Sequence, residues 1–366
     1  MKKVLVLSSA HPWDDERVFN KITKSLSKRY ETVLCAVADD DFRIVDNIKI
    51  YGLKKLSRTK RYKNYIKIIK IVKKEKPDLI HFHDPDLLPL ALYFKLILRK
   101  KVIYDVHEDY FLAFRDREYW PKIVKIPFSF AFNFFEKGVS KLLDGVTVVT
   151  EDIFKKFNCK NRVILRNFPT IEQWQAREIY NVDDTINLVY IGNVSYHRGI
   201  THLILAVNQL LQLNIKLDII GPAESAEYFE EIKKFENEKI KIWGRVPKGY
   251  IPEILKNAHV GFVTLLPLRR YKTSLPLKLF EYMAAGMPVI ASNFELWKEI
   301  IEGSDCGITI DPTDVMQIKE AILYFYENRD EIIKKGQNGY KAFSEIYNWS
   351  KEEKKLFDFY RDIMGQ

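Results

Sequence analysis

Short apolar runs alternate with segments of helical periodicity along nearly the whole chain. In the first half, helices are predicted between the strands, notably at Glu16–Arg29 and Asp86–Arg99, and the strands at Lys3–Leu7, Thr32–Val37, Leu79–Phe82, Val102–Asp105, Val146–Thr150 and Val163–Leu165. A second alternation predicts strands at Asn187–Ile191, Lys216–Gly221, Ile240–Trp243, Val260–Leu265, Pro288–Ala291 and Gly307–Ile310. Such alternation is typical of parallel α/β domains.

The chain between the two alternations loses its periodicity over Asn167–Asp184, which contains Pro169. With 366 residues, the chain also exceeds the size at which a single core usually stops growing. We therefore predict an N-terminal domain at 1–170, a linker at 171–184 and a C-terminal domain at 185–349, followed by a last helical segment at 350–366. Two such sheets in tandem would face a cleft suited to a ligand.

The composition, 47% hydrophobic and 30% charged, is that of a water-soluble globular protein. No window holds roughly 18 uninterrupted apolar residues, so no transmembrane helix is expected. Met1–Leu7 lacks the long apolar core and cleavage site of a signal peptide, and we expect a cytoplasmic protein. The three cysteines lie far apart and are expected to be reduced, mostly buried thiols.

The net charge of +10 is concentrated in the first half of the chain. Residues 1–170 hold 35 lysines and arginines against 21 acidic residues, a net charge of +14, whereas the remainder carries −4. This asymmetry predicts an anionic partner for the first half, such as a membrane surface or nucleic acid. The densest basic stretch, residues 54–74, predicts a basic amphipathic helix from Tyr62 onward, with a solvated helix face as the equal alternative.

Aromatic and basic residues also interleave over Tyr110–Phe135, as at membrane interfaces. The alternative is a core helix preceded by a loop, and much of Phe128–Phe135 is expected to be core. The residues concerned are Phe111, Phe114, Tyr119, Trp120, Phe128, Phe130, Phe132, Phe134 and Phe135, with Arg115, Arg117, Lys122 and Lys125.

Glycines follow two strands of the second half. Gly192 ends the Asn187–Ile191 strand and begins a turn that leads to a helix from Ile200, and Gly221 ends the next strand. A glycine there lets the backbone approach a ligand, and a helix N-terminus with Arg198 beside it offers donors to phosphate oxygens. Alone, these turns are as readily structural, because strand–glycine–helix turns occur throughout α/β proteins.

The segment Ser274–Ser292 reads as a loop, a helix, a glycine stop and a buried strand. Glu281 lies on this helix among apolar neighbours, so its carboxylate must be paired or point into a site. Two interpretations remain open: a salt bridge with Lys278, three residues back, or acceptance of hydrogen bonds from the two hydroxyls of a ribose.

The sequences KLFEYMAAGMPVIAS and YIGNVSYHRG closely resemble glycosyltransferase family 4. HPWDDERVF, LIHFHDPD and VIYDVHE resemble that family's first-domain motifs, and Phe343–Arg361 resembles its closing helices. The match covers essentially the whole chain with motifs in the expected order. The resemblance implies a retaining enzyme of the GT-B fold, with two Rossmann-like domains facing a cleft and a C-terminal helix that crosses back to the first domain.

The resemblance also implies roles for single residues. Glu281 matches the ribose-binding glutamate of the family's E-x7-E motif, whereas Thr273 replaces the first glutamate. Arg198 matches a residue on the diphosphate, where Lys278 would assist because Asn193 replaces a second basic residue. Donor-binding residues are then expected to be Gly192, Asn193, Arg198, Gly221, Trp243, Leu275, Leu277, Lys278 and Glu281.

In the first domain, His107 matches a histidine near the reacting sugar, so the catalytic residues are expected to be His107, Arg198 and Lys278. The acceptor side would include His11, Asp15, Arg17, His83, Asp84 and Glu108.

No Asp-x-Asp motif has a convincing metal context, and we expect no metal and no cofactor, the nucleotide sugar being a substrate. The expected partners are a nucleotide sugar, UDP more than GDP, a saccharide or lipid-linked acceptor in capsule or lipopolysaccharide assembly, and the inner-leaflet membrane surface.

Other functions remain as alternatives. A sugar-nucleotide 2-epimerase shares the architecture but needs acidic general-base groups that the sequence does not place. A nicotinamide dehydrogenase is excluded, because Ser8–Pro12 lacks the G-x-G-x-x-G sequence. A nucleic-acid-binding module would use the basic half, but no recognised nucleic-acid motif is present and no nucleic-acid partner is expected.

Overall fold

The computed structural model describes residues 1–115, 121–174 and 184–365. The chain forms two compact units. The first contains Met1–Asn167 and Ser350–Gln366, and the second contains Phe168–Trp349. Each unit has a largely parallel sheet flanked by helices, which confirms the predicted class of two α/β domains.

Within the described residues, the sheet of the first unit has eight strands in the order β3-β4-β2-β1-β5-β6-β7-β8. All neighbouring strands are parallel except β3 and β4. The strands are β1 Lys3–Pro12, β2 Glu31–Val37, β3 Phe42–Val45, β4 Ile48–Leu53, β5 Leu79–Phe82, β6 Lys101–Val106, β7 Gly145–Val148 and β8 Arg162–Ile164.

The strands β3 and β4 form a hairpin that the sequence pattern did not predict. Val45 pairs with Ile48, so Asp46 and Asn47 make a two-residue turn, and both have positive φ angles of 51° and 63°. Asp and Asn tolerate this backbone, which suits the tight turns of hairpins. The short strand β3 is partly exposed at the sheet edge, so it lacks the buried apolar run that marks the other strands.

A π-helix at Glu16–Thr23 begins the helices of the first unit, where the sequence predicted a longer α-helix. The Asp15 carbonyl oxygen accepts from the backbone N–H of Phe19 at 2.9 Å and of Asn20 at 3.3 Å, and the second bond widens the turn. The α-helices that follow are α1 Lys24–Ser27, α2 Tyr65–Glu75, α3 Leu88–Leu96, α4 Tyr110–Arg115, α5 Lys122–Leu142 and α6 Glu151–Lys156.

The sheet of the second unit has six parallel strands among the residues described, in the order β11-β10-β9-β12-β13-β14. They are β9 Ile186–Ile191, β10 Ile215–Ile220, β11 Ile240–Gly244, β12 Val260–Val263, β13 Val289–Ser292 and β14 Gly307–Ile310. The helices are α7 Ile200–Asn208, α8 Ala226–Lys233, α9 Ile251–Lys256, α10 Arg269–Lys272, α11 Leu277–Ala284, α12 Glu295–Gly303, α13 Val315–Glu327 and α14 Arg329–Glu345.

The last helix, α15 Trp349–Met364, returns the chain to the first unit. Its Phe359 and Ile363 side chains lie so close to Gly145 of β7 that an added Cβ would meet both at 2.6 Å. None of the described helices is both long enough and apolar enough to cross a bilayer. The three cysteines are free thiols, and burial raises the pKa of Cys35 and Cys306 to about 12.

Candidate functional site

The polar residues of the first unit gather at the carboxyl ends of β1, β5 and β6. These strands are neighbours in the parallel sheet, so their ends meet at one edge, where ligands bind in open α/β sheets. His83 and Asp84 follow β5 directly, and His107 follows β6. The edge therefore brings together residues that are far apart in the sequence.

Asp105 is the centre of this cluster. Arg17 donates to both of its oxygens, from Nε at 2.9 Å and from Nη2 at 2.8 Å, and Thr147 donates to it at 2.6 Å. His83 Nδ1 and His107 Nε2 lie 3.0 and 2.7 Å from the same Asp105 oxygen. Arg17 and Asp105 are both buried, and such a bidentate, hydrogen-bonded pair is the arrangement that makes a buried ion pair tolerable.

Asp84 is the second buried carboxylate at this edge. Ser8 Oγ donates to it at 2.6 Å and the backbone N–H of Ser9 at 2.8 Å. His11 Nδ1 lies 3.4 Å from its other oxygen. Asp15 has a structural position, because its side chain accepts from the N–H groups of Arg17 and Val18 and so caps the π-helix.

The protonation states follow from burial and these partners. Burial alone would raise the pKa of Asp105 and of Asp84. Arg17 and His107 outweigh burial for Asp105, and His11 and Ser8 do so for Asp84, so both pKa values lie below the usual range. Burial would lower the pKa of His11, but Asp84 outweighs it and raises that pKa.

His81 and His83 behave in the opposite way to His11. Burial is the main cause that lowers the pKa of both, well below the usual value for His81. The two rings stack with centroids 5.0 Å apart, and His81 Nδ1 lies 2.8 Å from the hydroxyl of Tyr360 on α15. Both histidines are therefore neutral near physiological pH, and the network extends to the last helix.

The spacing of His81, His83 and Asp105 is also that of a metal site, since their ligand atoms lie within 4.8 Å of one another. However, Arg17 already engages both oxygens of Asp105. A metal cation there would face the guanidinium at short range and would have to displace it. The cluster is therefore better described as a hydrogen-bonded network that orients His107.

The acceptor-side residues predicted from the sequence are thus brought together, with one exception. His11, Arg17, His83 and Asp84 enter the network and Asp15 lies at its edge, whereas Glu108 is exposed and takes no part in it among the described residues. Asp105 lies within a recognised motif, and the sequence left it open between a functional and a structural role. Sequence reasoning missed the remaining members, among which Tyr360 is 279 positions from its partner; they are Ser8, Ser9, His81, Thr147 and Tyr360.

In the second unit, the turns after β9 and β10 pack on each other through glycine. A Cβ on Gly221 would lie 1.8 Å from the Gly192 carbonyl oxygen, and both residues have positive φ, 144° and 135°. Val194 forms a parallel bridge with Ala223 beyond them. Only glycine allows this approach, which leaves the backbone open at the strand ends.

Lys278 faces Gly192 across this turn. Its side chain is 7% exposed, and its Nζ atom has no hydrogen-bond partner among the described residues. Nζ lies 3.6 Å from the centroid of the Tyr190 ring, and a Cβ on Gly192 would be 3.4 Å from it. Burial, together with the charge of Arg198, lowers the pKa of Lys278 well below its usual value.

Lys278 thus makes no hydrogen-bonded bridge to Glu281, so the first of the two interpretations of Glu281 is not supported. Glu281 itself is half-buried, as is Arg198, whose guanidinium lies 5.3 Å from the Tyr271 ring. Leu275 and Leu277 are half-buried at the start of α11.

Two other predicted donor residues lie at the surface. Asn193 is exposed, and its carbonyl oxygen accepts from the Tyr190 hydroxyl at 2.6 Å. Trp243 is 61% exposed at the end of β11, and its indole N–H donates to Asp218 at 2.7 Å. Sequence reasoning did not predict that Tyr190 contacts both Lys278 and Asn193, although Tyr190 begins the YIGNVSYHRG sequence. A buried lysine amine, an arginine and glycine turns at strand ends form a site with the chemistry to bind phosphate.

Two family models match the chain. Glycosyltransferase Family 4 matches residues 16–162, in the first unit, and Glycosyl transferases group 1 matches residues 172–342, in the second. Together with the two α/β units, they show that the chain has the two-domain GT-B fold of the glycosyltransferases. Within that class the chain belongs to the family 4 type, which confirms the family resemblance of its sequence motifs.

Known proteins agree with this assignment. An uncharacterized glycosyltransferase of Methanocaldococcus jannaschii is 27% identical over 199 residues, covering 52% of this chain and 49% of that protein. The chain spans about half the length of the curated relatives it matches. Sucrose-phosphate synthase from Thermosynechococcus elongatus has the same fold, with a TM-score of 0.80 at 15% identity over 100% of both chains. Anabaena HepE, solved with UDP-glucose, gives 0.75 at 14% identity over 99% of this chain and 100% of its own.

Proposed function

We propose that this protein is a retaining glycosyltransferase that moves a sugar, most readily a hexose, from a nucleotide diphosphate sugar to a saccharide acceptor. The donor would bind the second unit, and UDP is favoured over GDP. The acceptor would be lipid-linked, as in the assembly of capsule or lipopolysaccharide at the inner membrane face.

The observation that carries this proposal is the buried, unpartnered Nζ of Lys278 beside the Gly192 turn. A buried amine without a partner costs stability, so its presence needs a compensating ligand. A diphosphate would supply the missing acceptors and hold the amine in its charged form. Arg198 would add a second cation, and the half-buried Glu281 would accept from the hydroxyls of a ribose.

The reaction requires that the leaving nucleotide diphosphate carry new negative charge. Lys278 and Arg198, fixed before the reaction, would stabilise that charge more strongly than water can. These two cations would also replace the divalent ion that other transferases use, and this supports metal independence. Retention without an enzyme nucleophile would proceed by attack of the acceptor on the face that the leaving group departs from.

His107 would serve the acceptor side. Its Nε2 atom is held at 2.7 Å by Asp105, so the ring orientation is fixed and Nδ1 is left for a substrate hydroxyl. Its side chain is 16% exposed, which is enough for contact with a small ligand. Arg17 and Thr147 would act through Asp105 and are positioning residues.

The preference for UDP rests on a fold relative, since HepE of Anabaena was solved with UDP-glucose. The lipid-linked acceptor rests on the charge of the first half, +14 over residues 1–170. A basic surface concentrates a protein at anionic membranes, where lipid-linked saccharides reside.

The test is a thermal-shift panel of UDP-, GDP-, ADP- and CMP-sugars with the wild-type chain and the Glu281→Ala variant. We expect one nucleotide class to stabilise the wild type and Glu281→Ala to lose that response. Glu299→Ala, an exposed glutamate on the neighbouring α12, is the matched control and should respond like the wild type. The preferred donor is then incubated with a lipid extract as acceptor, with and without EDTA, and the anomeric configuration of the product is read by NMR.

Several results would refute the proposal. Equal responses of Glu281→Ala and Glu299→Ala would exclude the assigned ribose contact. Inversion at the anomeric carbon, or activity that EDTA abolishes, would exclude the proposed mechanism. Release of an epimerised nucleotide sugar in the absence of acceptor would identify a 2-epimerase instead.

A further inference from the structure

The helix α5, Lys122–Leu142, exposes most of its large apolar side chains to water and buries several polar side chains against the rest of its unit. Most of its large apolar side chains face outward, although Val139 and Phe132 pack on the core: Ile123 and Phe134 are 83% and 82% exposed, and six others are exposed as well, namely Val124, Ile126, Phe128, Phe130, Phe135 and Leu142. Much of Phe128–Phe135 was expected to be core, and that expectation is wrong. Ordinary surface helices present their polar face to water.

The inward face of α5 explains how this arrangement is stable. Ser129 and Ser140 are fully buried and donate to carbonyl oxygens of their own helix. Glu136 is also fully buried, and it accepts from the Tyr104 hydroxyl at 3.0 Å and from Lys156 at 2.7 Å. Glu136 thus ties the inward side of α5 to the unit, together with the core contacts of Val139 and Phe132, while the two serines satisfy their own hydroxyls within the helix. The apolar side remains outside, although aqueous exposure of so many phenylalanines is unfavourable.

Basic residues border this apolar face. The aromatic residues of α4 join it to the preceding basic segment, because Phe111 contacts Phe130, Phe114 contacts Phe128, and the Arg58 guanidinium lies 5.5 Å from the Phe114 ring. Arg58 is exposed and belongs to a run of sequence without acidic residues, since the chain holds no Asp or Glu between Asp46 and Glu75. Within that run, Arg61 pairs with Asp86 and Lys67 with Asp41. The exposed basic residues of that run nearest to Arg58 are Lys54, Lys55, Lys60 and Lys63.

Apart from the buried Glu136, the charges of α5 itself are also positive. The helix carries four lysines and one acidic residue, Glu136, which is buried and paired. Its apolar face is therefore bordered by cations with no exposed carboxylate of its own. Arg117, Tyr119 and Trp120, which the sequence suggested for the same interface, lie outside the described residues.

We propose that the outward face of α5 is a membrane-docking surface that lies flat in the interface of an anionic lipid bilayer, with its phenylalanines among the acyl chains. The basic run around Arg58 would contact the anionic headgroups beside it. This combination of an apolar face and flanking cations is the physical signature of interfacial helices. A second copy of the chain is disfavoured as the occupant, because it would bring like charges together.

This docking deepens the proposed function, on which it rests for the lipid-linked acceptor. An enzyme held by α5 would take its acceptor from the plane of the membrane, and its basic residues would select anionic leaflets. The surface itself belongs to the first unit alone, so it can be tested without any substrate.

The test is flotation of the full chain with vesicles of phosphatidylglycerol and phosphatidylcholine in equal parts, or of phosphatidylcholine alone. We expect binding to the anionic vesicles that weakens with added salt. The variant Ile123→Gln/Phe134→Gln keeps good helix formers on α5 and should lose binding by about tenfold or more. The matched control, Met316→Gln/Ile346→Gln, removes two exposed apolar side chains from the second unit and should bind like the wild type.

The contribution of charge is tested separately. Lys54→Gln/Lys55→Gln/Lys60→Gln should weaken binding on the order of a hundredfold at low salt. Three exposed lysines of the second unit provide the control, Lys216→Gln/Lys241→Gln/Lys298→Gln, with little effect expected. The nucleotide-sugar thermal shift is measured on every variant, because it shows that each is folded and reports the donor site independently.

Vesicle binding that survives Ile123→Gln/Phe134→Gln would overturn the proposal. So would a wild-type dimer in sedimentation velocity that the same variant makes monomeric, because a second copy would then cover α5. A chain that binds vesicles through α5 but shows no nucleotide response would retain the docking surface and refute the proposed function.

Discussion

Replacing Lys278 with methionine should stabilise the ligand-free protein and abolish its response to nucleotide sugars. Lys278 is buried, and its Nζ atom has no hydrogen-bond partner in the described chain. A methionine side chain has similar length and flexibility and carries no group that needs a partner. It would also pack well on the Tyr190 ring, over which Nζ now lies at 3.6 Å.

The size of the stabilisation follows from the free-energy cost of burying the Lys278 amine without a hydrogen-bond partner. A buried, unsatisfied polar group costs about 1–3 kcal/mol, and contact with the Tyr190 ring returns part of this cost. We therefore expect the free energy of unfolding to rise by about 1–2 kcal/mol in Lys278→Met. In a unit of the size of Phe168–Trp349, this corresponds to a rise in Tm of roughly 2–8 °C.

The gain in the free energy of unfolding that Lys278→Met produces should depend on pH. The folded pKa of Lys278 lies below the ordinary value of 10.5, so the unfolded chain binds the proton more readily between these two values. The wild type therefore gains stability as pH rises through that window and loses it as pH falls. The advantage of Lys278→Met should be larger at about pH 7 than at about pH 10.

The assay is urea unfolding followed by tryptophan fluorescence, with nucleotide-sugar thermal shifts in parallel. Lys335 provides the control, because it is a buried lysine of the same unit with partners: Asp305 at hydrogen-bond distance and Glu331 at 3.6 Å. These carboxylates outweigh burial and raise its pKa. Lys335→Met should therefore destabilise the protein and leave the nucleotide response intact.

Either of two results would refute this reasoning. If Lys278→Met destabilises the ligand-free protein as Lys335→Met does, then the unpartnered Nζ atom of Lys278 does not destabilise the folded state. If the variant keeps the full nucleotide response, Lys278 does not contact the diphosphate.

Three further predictions concern the packing and the buried network. Gly221→Ala should lower the free energy of unfolding by about 2–4 kcal/mol, because its Cβ would lie 1.8 Å from the Gly192 carbonyl oxygen at a positive φ. Arg17→Met should cost about 3–5 kcal/mol, since it leaves the Asp105 carboxylate buried without its main cation. The folded pKa of His81 lies below its ordinary 6.5, so the unfolded chain binds more protons and stability falls below that pH. His81→Phe should reduce this pH slope by up to about 1.4 kcal/mol per unit.

Urea unfolding measures all three, each against its own reference. Gly303→Ala, where no atom lies within 4 Å of the added Cβ, should change stability little. Arg43→Met breaks a partly exposed surface pair with Asp40 and should cost much less than Arg17→Met. Comparable losses in test and control would contradict the steric and burial arguments, and an unchanged slope between about pH 7.5 and pH 5 would contradict the assignment of His81 as neutral.

The fold was largely predictable from the sequence because parallel strands are buried on both faces. Val260–Val263 and Val289–Ser292, for example, are buried throughout and read as continuous apolar runs. The edge hairpin of β3 and β4 escaped this pattern, since half-exposed strands carry no such run. The π-helix at Glu16–Thr23 also escaped it, because its wide turns depend on backbone bonds between residues five apart, such as Asn20 to Asp15 and Lys24 to Phe19, which the hydrophobic pattern does not encode.

Site residues were predictable only where they lie within recognised motifs. His107 lies in the same short motif as Asp105, His83 and Asp84 lie in the motif of the neighbouring strand, and their joint position follows because those two strands are parallel. Tyr360 joins this network from the last helix, and no local pattern encodes a contact across 279 positions. The outward face of α5 was wrongly expected to be core for a related reason. A run of phenylalanines predicts burial, but it does not distinguish burial in the protein core from burial against something outside the protein.

The two units differ in which buried polar groups lack a partner, and this difference bears on the order in which donor and acceptor bind. In the first unit, Arg17 and two histidines already compensate the charge of Asp105, and among the residues described the unpartnered atoms of that network are only the Nε2 atoms of the neutral imidazoles His81 and His83. In the second, Lys278 has a depressed pKa and no hydrogen-bond partner in the described chain. Ligand binding stabilises a protein most where it removes an existing cost. Donor nucleotides should therefore produce the larger thermal shift, and an acceptor saccharide alone should produce little, which is the pattern expected of an enzyme that binds its donor first.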